Sequence, residues 1–124
     1  MKFGKSSLVP SYSRKPDFRT SKSHASAYEF FCIQCRTSNT IEYDRIIKAV
    51  SLWEEEWKAA CVTDAKDHFR IGVVGKSQDG GWPSMVIVAC EACGAEHLIY
   101  AGVNEVSNSM YTVIIQGVTE ILDR

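Results

Sequence analysis

The sequence predicts a small α+β fold in which an antiparallel β-sheet carries one inserted amphipathic helix. Two segments repeat a strand, a tight cysteine turn and a returning strand, and the stretch between them has the three-and-four apolar spacing of a helix face. A length of 124 residues suits one domain with a modest core. The 45% apolar and 23% charged composition is that of ordinary globular proteins, which excludes bulk disorder.

Residues 1–27 read as a flexible arm. They are rich in serine, contain Pro10 and Pro16, and show no helical or alternating period. Lys2, Lys5, Arg14, Lys15, Arg19 and Lys22 stand there against Asp17 alone, a net +5, with Phe3, Tyr12 and Phe18 spread among them. Residues 28–124, the expected folded domain, carry 8 basic and 14 acidic residues, a net −6. Any contact with nucleic-acid phosphates therefore falls to the arm, because the body would repel them.

The repeat consists of Tyr28-Glu-Phe-Phe-Cys32-Ile-Gln-Cys35 leading to Thr40–Tyr43, and Val86-Ile-Val-Ala-Cys90-Glu-Ala-Cys93 leading to Leu98–Ala101. An offset of 58 residues superposes Cys32 on Cys90, Cys35 on Cys93 and Ile41 on Ile99. The insertion between them spans 44–84. Its first part, Asp44 to Cys61, places Ile46, Ile47, Val50, Trp53, Trp57, Ala60 and Cys61 on one helical face. Asp44 is the expected cap, and Asp44–Lys48 and Glu54–Lys58 are pairs four residues apart. Phe69–Val74 and Ser84–Ala89 then read as strands of a hairpin around the Gly80-Gly81 turn, and Met110–Ile121 as a further strand after a polar loop at 104–109.

A Cys-x-x-Cys turn sets two thiolates on one side of a tight loop with backbone amides aimed at the sulfurs. Two such turns supply the tetrahedral four-sulfur site that zinc prefers. Cys32, Cys35, Cys90 and Cys93 are the expected ligands of one structural zinc ion, and iron suits the same donors. Gly94 lets the chain turn closely beneath the second pair. These knuckles resemble the zinc-ribbon and rubredoxin-like class, which implies two cysteine turns on β-hairpins around one metal. The closer match is Cys90-Glu-Ala-Cys93-Gly94, since Arg36 stands where glycine is common after the first pair. The 54 residues between Cys35 and Cys90 depart from the ribbon spacing of about 15–20 and imply an insertion packed on the ribbon.

Two other readings of the cysteines stay open: a dithiol that cycles with a disulfide, and thiols buried without a ligand. Cys61 reads as a core residue, His97 as a surface histidine beside the metal, His24 as part of the arm, and His68 as a residue before a strand. Gly72-Val-Val-Gly75-Lys76-Ser77 looks like the end of a phosphate-binding loop. However, Arg70 stands where glycine is needed and Trp82-Pro83 follow where a helix should open, so no nucleotide is expected. Glu54, Glu55 and Glu56 point in different directions on a helix and cannot converge on a ligand.

No apolar run reaches the roughly 18 residues of a membrane span, and no secretory leader is evident, which makes the cytoplasm the expected location and free thiols the expected state. A closed four-cysteine site leaves no position for substrate. The expected function is therefore a non-catalytic interaction module that binds a protein partner. Nucleic-acid binding by the arm is the alternative, and a thiol or zinc enzyme a third reading.

Overall fold

The computed structural model describes residues 1–8, 17–20, 27–71, 81–107 and 110–124. In chain order these form β1 (Lys2–Leu8), β2 (Asp17–Thr20), β3 (Ala27–Phe31), β4 (Ser38–Glu42), α1 (Tyr43–Glu56), α2 (Ala59–His68), β5 (Trp82–Ala89), β6 (Glu96–Ser107) and β7 (Met110–Asp123). The architecture is α+β and dominated by antiparallel sheet. Five strands make the larger sheet, in the order β1-β7-β6-β5 with β2 also paired to β7, and β3 with β4 forms a separate two-stranded sheet.

Alternation along β6 gives the large sheet two buried faces. Ile99, Ala101 and Val103 pack under Tyr28, Phe30 and Ile41 of the small hairpin and under Tyr43 and Ile46 at the start of α1. Leu98 and Tyr100 pack on the opposite face with Trp53, Ala65, Phe69 and Ile71. The helix α1 serves both clusters because it runs beside the edge strand β5. There Trp53 Nε1 donates to Pro83 O at 3.2 Å, Arg45 donates to Ile87 O at 2.7 Å, and Ser84 Oγ donates to Ile46 O at 2.7 Å. Side chains of α1 thus satisfy part of a strand edge that would otherwise invite another chain. Between β6 and β7 the register shifts at Tyr100/Ala101, where Gln116 is the extra, buried residue of a bulge.

Several expectations change. Within the segment read as a flexible arm, Lys2–Leu8 and Asp17–Thr20 are strands antiparallel to β7. An outer strand is held by backbone hydrogen bonds and needs no apolar alternation, so its sequence resembles that of a tail. Lys2 and Lys5 project exposed from β1 and Arg19 lies in β2, while Arg14, Lys15, Lys22 and His24 fall outside the described residues, as does Gly72–Ser77. The expected single helix over 44–61 is two helices, because Trp57 (φ −85°, ψ 153°) and Lys58 (φ −60°, ψ 142°) are extended. Its N-cap is Glu42 without a side-chain cap bond, and Asp44 sits in the first turn. Glu54 pairs with Lys66 of α2 at 3.0 Å.

The expected strand from Phe69 does not start there. Phe69 is the C-cap of α2, Arg70 has φ +56°, and Ile71 N–H bonds Lys66 O at 2.8 Å. Residues 72–74 lie outside the description, and β5 pairs with β6. Strand β6 runs to Ser107, through the first part of the expected 104–109 loop. His68 ends α2, its Nε2 3.0 Å from the hydroxyls of both Ser6 and Thr119. Among the described residues no helix is long and apolar enough to cross a membrane.

Trp53 is 1% exposed and also closes the β5 edge through its indole N–H. Trp53→Ala removes both contributions and is expected to cost about 3–5 kcal/mol, read as a lower denaturant midpoint in equilibrium unfolding.

Candidate metal centre

Each cysteine pair sits at the tip of a hairpin, Cys32 and Cys35 between β3 and β4, Cys90 and Cys93 between β5 and β6. The two turns have the same backbone, related by the 58-residue offset. Cys32 N–H donates to Thr37 O at 2.9 Å and Arg36 N–H to Cys32 O at 2.9 Å. In the second turn Cys90 N–H donates to Ala95 O and Gly94 N–H to Cys90 O, both at 2.8 Å. The turns close with a left-handed residue at equivalent positions, Arg36 (φ +65°) and Gly94 (φ +78°).

The four Sγ atoms lie within 4.8 Å of one another. Two pairs cross between the turns, Cys32 to Cys93 at 3.5 Å and Cys35 to Cys90 at 3.7 Å. A tetrahedron with metal–sulfur bonds of about 2.3 Å has sulfur–sulfur edges of about 3.8 Å, whereas a disulfide bond is about 2.05 Å. The separations therefore fit four ligands around one ion and not a disulfide, and all the cysteines are free. Cys32 and Cys90 are buried and Cys35 and Cys93 exposed, so the first cysteine of each turn faces inward.

The hydrogen bonds around the sulfurs follow the same repeat. Cys35 N–H points at Cys32 Sγ at 3.4 Å, and Cys93 N–H stabilises the Cys90 thiolate. Thr37 N–H supports Cys35 as Ala95 N–H supports Cys93. Two further residues, Asn39 and His97, also 58 apart, each reach across to the opposite turn. Asn39 Oδ1 accepts Glu91 N–H at 3.0 Å, and His97 Nε2 accepts Ile33 N–H at 3.1 Å. Glu91 and Ile33 are themselves equivalent, each following the first cysteine of its turn. Pairing, turn shape and cross-bracing thus obey one approximate two-fold relation.

The Asn39 amide also donates to Cys90 Sγ at 3.4 Å and to Thr37 O at 3.0 Å. That amide first, then the N–H groups of Cys93 and Ala92, hold the Cys90 thiol down at about 6 against the effect of burial. Cys35 is also lowered, chiefly by the Thr37 hydroxyl 3.2 Å away. Cys93 receives the Ala95 N–H, yet its sulfur neighbours, Cys32 first, and the partial desolvation of its sulfur push it up to about 12. Thiolates this close repel one another, and a bound divalent cation is what lets all four ionise together.

The four cysteines expected as ligands are brought together. His97 is not the expected surface residue: it is fully buried on β6, burial lowers its pKa, and the neutral ring accepts the Ile33 N–H. Asn39, also buried, was not singled out by the sequence reading, although continuing the 58-residue alignment past the cysteines pairs it with His97. Cys61 is only half-buried, at the rim of a surface groove. Trp82 opens β5 exposed, while Pro83 is buried with its carbonyl on Trp53.

Arg36→Gly is expected to stabilise the protein by about 1 kcal/mol by relieving a left-handed non-glycine residue. Gly94→Ala is expected to cost a similar amount even though its Cβ would meet nothing within 4 Å. Paired thermal melts check both signs. Asn39→Ala and His97→Ala each break one cross-brace, and metal retention against a chelator is expected to fall about 10–100-fold in each.

Set beside protein-family models, curated proteins and solved structures, the chain matches none.

Proposed function

We propose that the protein is a non-catalytic interaction module, held in shape by one structural zinc ion on Cys32, Cys35, Cys90 and Cys93, and that its partner is another protein. The observation that carries this reading is the closure of the sulfur cluster. Four cysteines within 4.8 Å fill a tetrahedral set and leave no position for water or substrate. Zinc suits the role because it has no redox chemistry and binds thiolates tightly enough to contribute to folding. Support for a protein partner comes from the acidic body, which disfavours polyanions, and from the large apolar side chains Phe31, Trp82 and Leu122 left exposed on it.

The zinc assignment is checked by elemental analysis and X-ray absorption on the purified protein. One zinc per chain with four sulfurs at about 2.3 Å is expected. Iron, or a shell containing nitrogen or oxygen, would reject it. The interaction is checked by affinity capture from the protein's own cell lysate with and without nuclease. A stoichiometric protein partner that survives nuclease is expected. Captured material that disappears with nuclease would transfer the function to the basic N-terminal segment containing Lys2, Lys5 and Arg19.

A further inference from the structure

Burial divides the four sulfurs into two kinds. Cys35 and Cys93, the second cysteine of each turn, are exposed, while Cys32 and Cys90 are buried. Each exposed cysteine lies against the buried cysteine of the opposite turn, Cys93 3.5 Å from Cys32 and Cys35 3.7 Å from Cys90. A disulfide has its sulfurs about 2.05 Å apart, so each of these pairs would have to close by roughly 1.5 Å, a movement of side chains alone.

Two features favour bonds across the turns over bonds within them. Inside a turn, Cys35 N–H is directed at Cys32 Sγ at 3.4 Å, and Cys93 N–H serves Cys90. A disulfide between residues three apart would draw the first sulfur away from that amide. It would also strain the Arg36 N–H to Cys32 O and Gly94 N–H to Cys90 O bonds that shape the turns. Across the turns, Asn39 Oδ1 holds Glu91 N–H and His97 Nε2 holds Ile33 N–H, each beside a buried cysteine. These braces involve no sulfur, so they keep the opposed pairs adjacent when an ion leaves.

We propose that the centre is redox-interchangeable: hydrogen peroxide converts the zinc-held sulfurs into two cross-turn disulfides, Cys32–Cys93 and Cys35–Cys90, and releases the ion while the hairpin tips stay joined. The proposal rests on the structural-zinc reading and adds the regulation of that site. The exposed thiolate of Cys35 or Cys93 attacks a peroxide oxygen, breaks the O–O bond, and becomes a sulfenic acid as hydroxide departs. The buried thiolate of the opposite turn then attacks that sulfur, forming the S–S bond and expelling a second hydroxide. Each disulfide thus consumes one peroxide and two protons and yields two waters. Two such steps oxidise all four thiolates, and with them goes the charge that held a divalent cation.

The test adds hydrogen peroxide stepwise to the zinc-loaded full-length protein beside a chromogenic zinc indicator. About one zinc per chain is expected to appear as two equivalents of peroxide are consumed. Trypsin without reductant is then expected to give residues 23–36, with Cys32 and Cys35, joined to residues 77–124, with Cys90 and Cys93, the pair four hydrogens lighter than the reduced fragments. Fragmentation of the joined peptides between the cysteines reads the pairing, and residues 59–66 are expected to keep Cys61 as a thiol. Amide exchange reads the consequence. Phe30 and Ile41 N–H, which bond across the small hairpin, are expected to stay protected to within about tenfold after oxidation and to lose more than that when a chelator strips the reduced protein.

Separate 23–36 and 77–124 fragments, each two hydrogens lighter, would overturn the proposal, as would any other pairing, a link to Cys61, or sulfinic acid in place of disulfide. So would zinc that stays bound in excess peroxide. Protein that holds no zinc before oxidant is added would instead reject the structural-zinc reading, whereas the fragment masses judge the exchange alone.

Discussion

Four sulfurs from turns 54 residues apart meet within 4.8 Å of one another, and most of the architecture follows from that meeting. Each turn needs a hairpin to hold its backbone, and the two hairpin tips must face each other. The small β3–β4 sheet therefore lies over one face of the large one, and the apolar residues beneath its tip, Phe30 and Ile41, become shared core. The intervening chain returns to the sheet through α1 and α2, which take the strand edge and the opposite face.

Cross-bracing by Asn39 and His97 shows how the meeting is held without relying on sulfur alone. Each accepts a backbone N–H from the other turn, so the tips are joined by neutral hydrogen bonds that do not depend on the charge state of the thiols. Different residue types serve at the two places because their surroundings differ. His97 lies in a sheet interior against the Phe30 ring, 5.5 Å away, where a large flat group packs well. Asn39 also faces a sulfur, and a short amide can accept with its oxygen and donate with its nitrogen at once.

The four-cysteine cluster was legible because spacing within a turn is a local property, fixed by the backbone that such a turn requires. The two hairpins that carry the cysteine turns were legible for the same reason, as was the class of the fold, whereas the hairpin expected from Phe69 to Ala89 was not found. Less was visible where structure depends on what lies across from a residue. Lys2–Leu8 reads as a tail, yet it pairs with β7 through its backbone. The helix over 44–61 looked continuous because Ala60 and Cys61 extend the apolar count, but the backbone breaks at Trp57, leaving that ring beside Trp53 with centroids 5.3 Å apart. His97 looked exposed because proximity to cysteines in sequence says nothing about burial, which here comes from its place on the central strand β6.

The two cysteine turns are anchored unequally. The second belongs to strands of the five-stranded sheet, whereas the first tops the separate two-stranded sheet. Two strands alone are marginal in water, so the small sheet depends on its apolar underside and on the centre at its tip. Releasing the sulfurs would loosen this pair first, lifting Tyr28, Phe30 and Ile41 from the face they cover while the larger sheet stayed paired. An ion held by these sulfurs would act as the latch of a cover, and what the cover conceals is one apolar face of the main sheet.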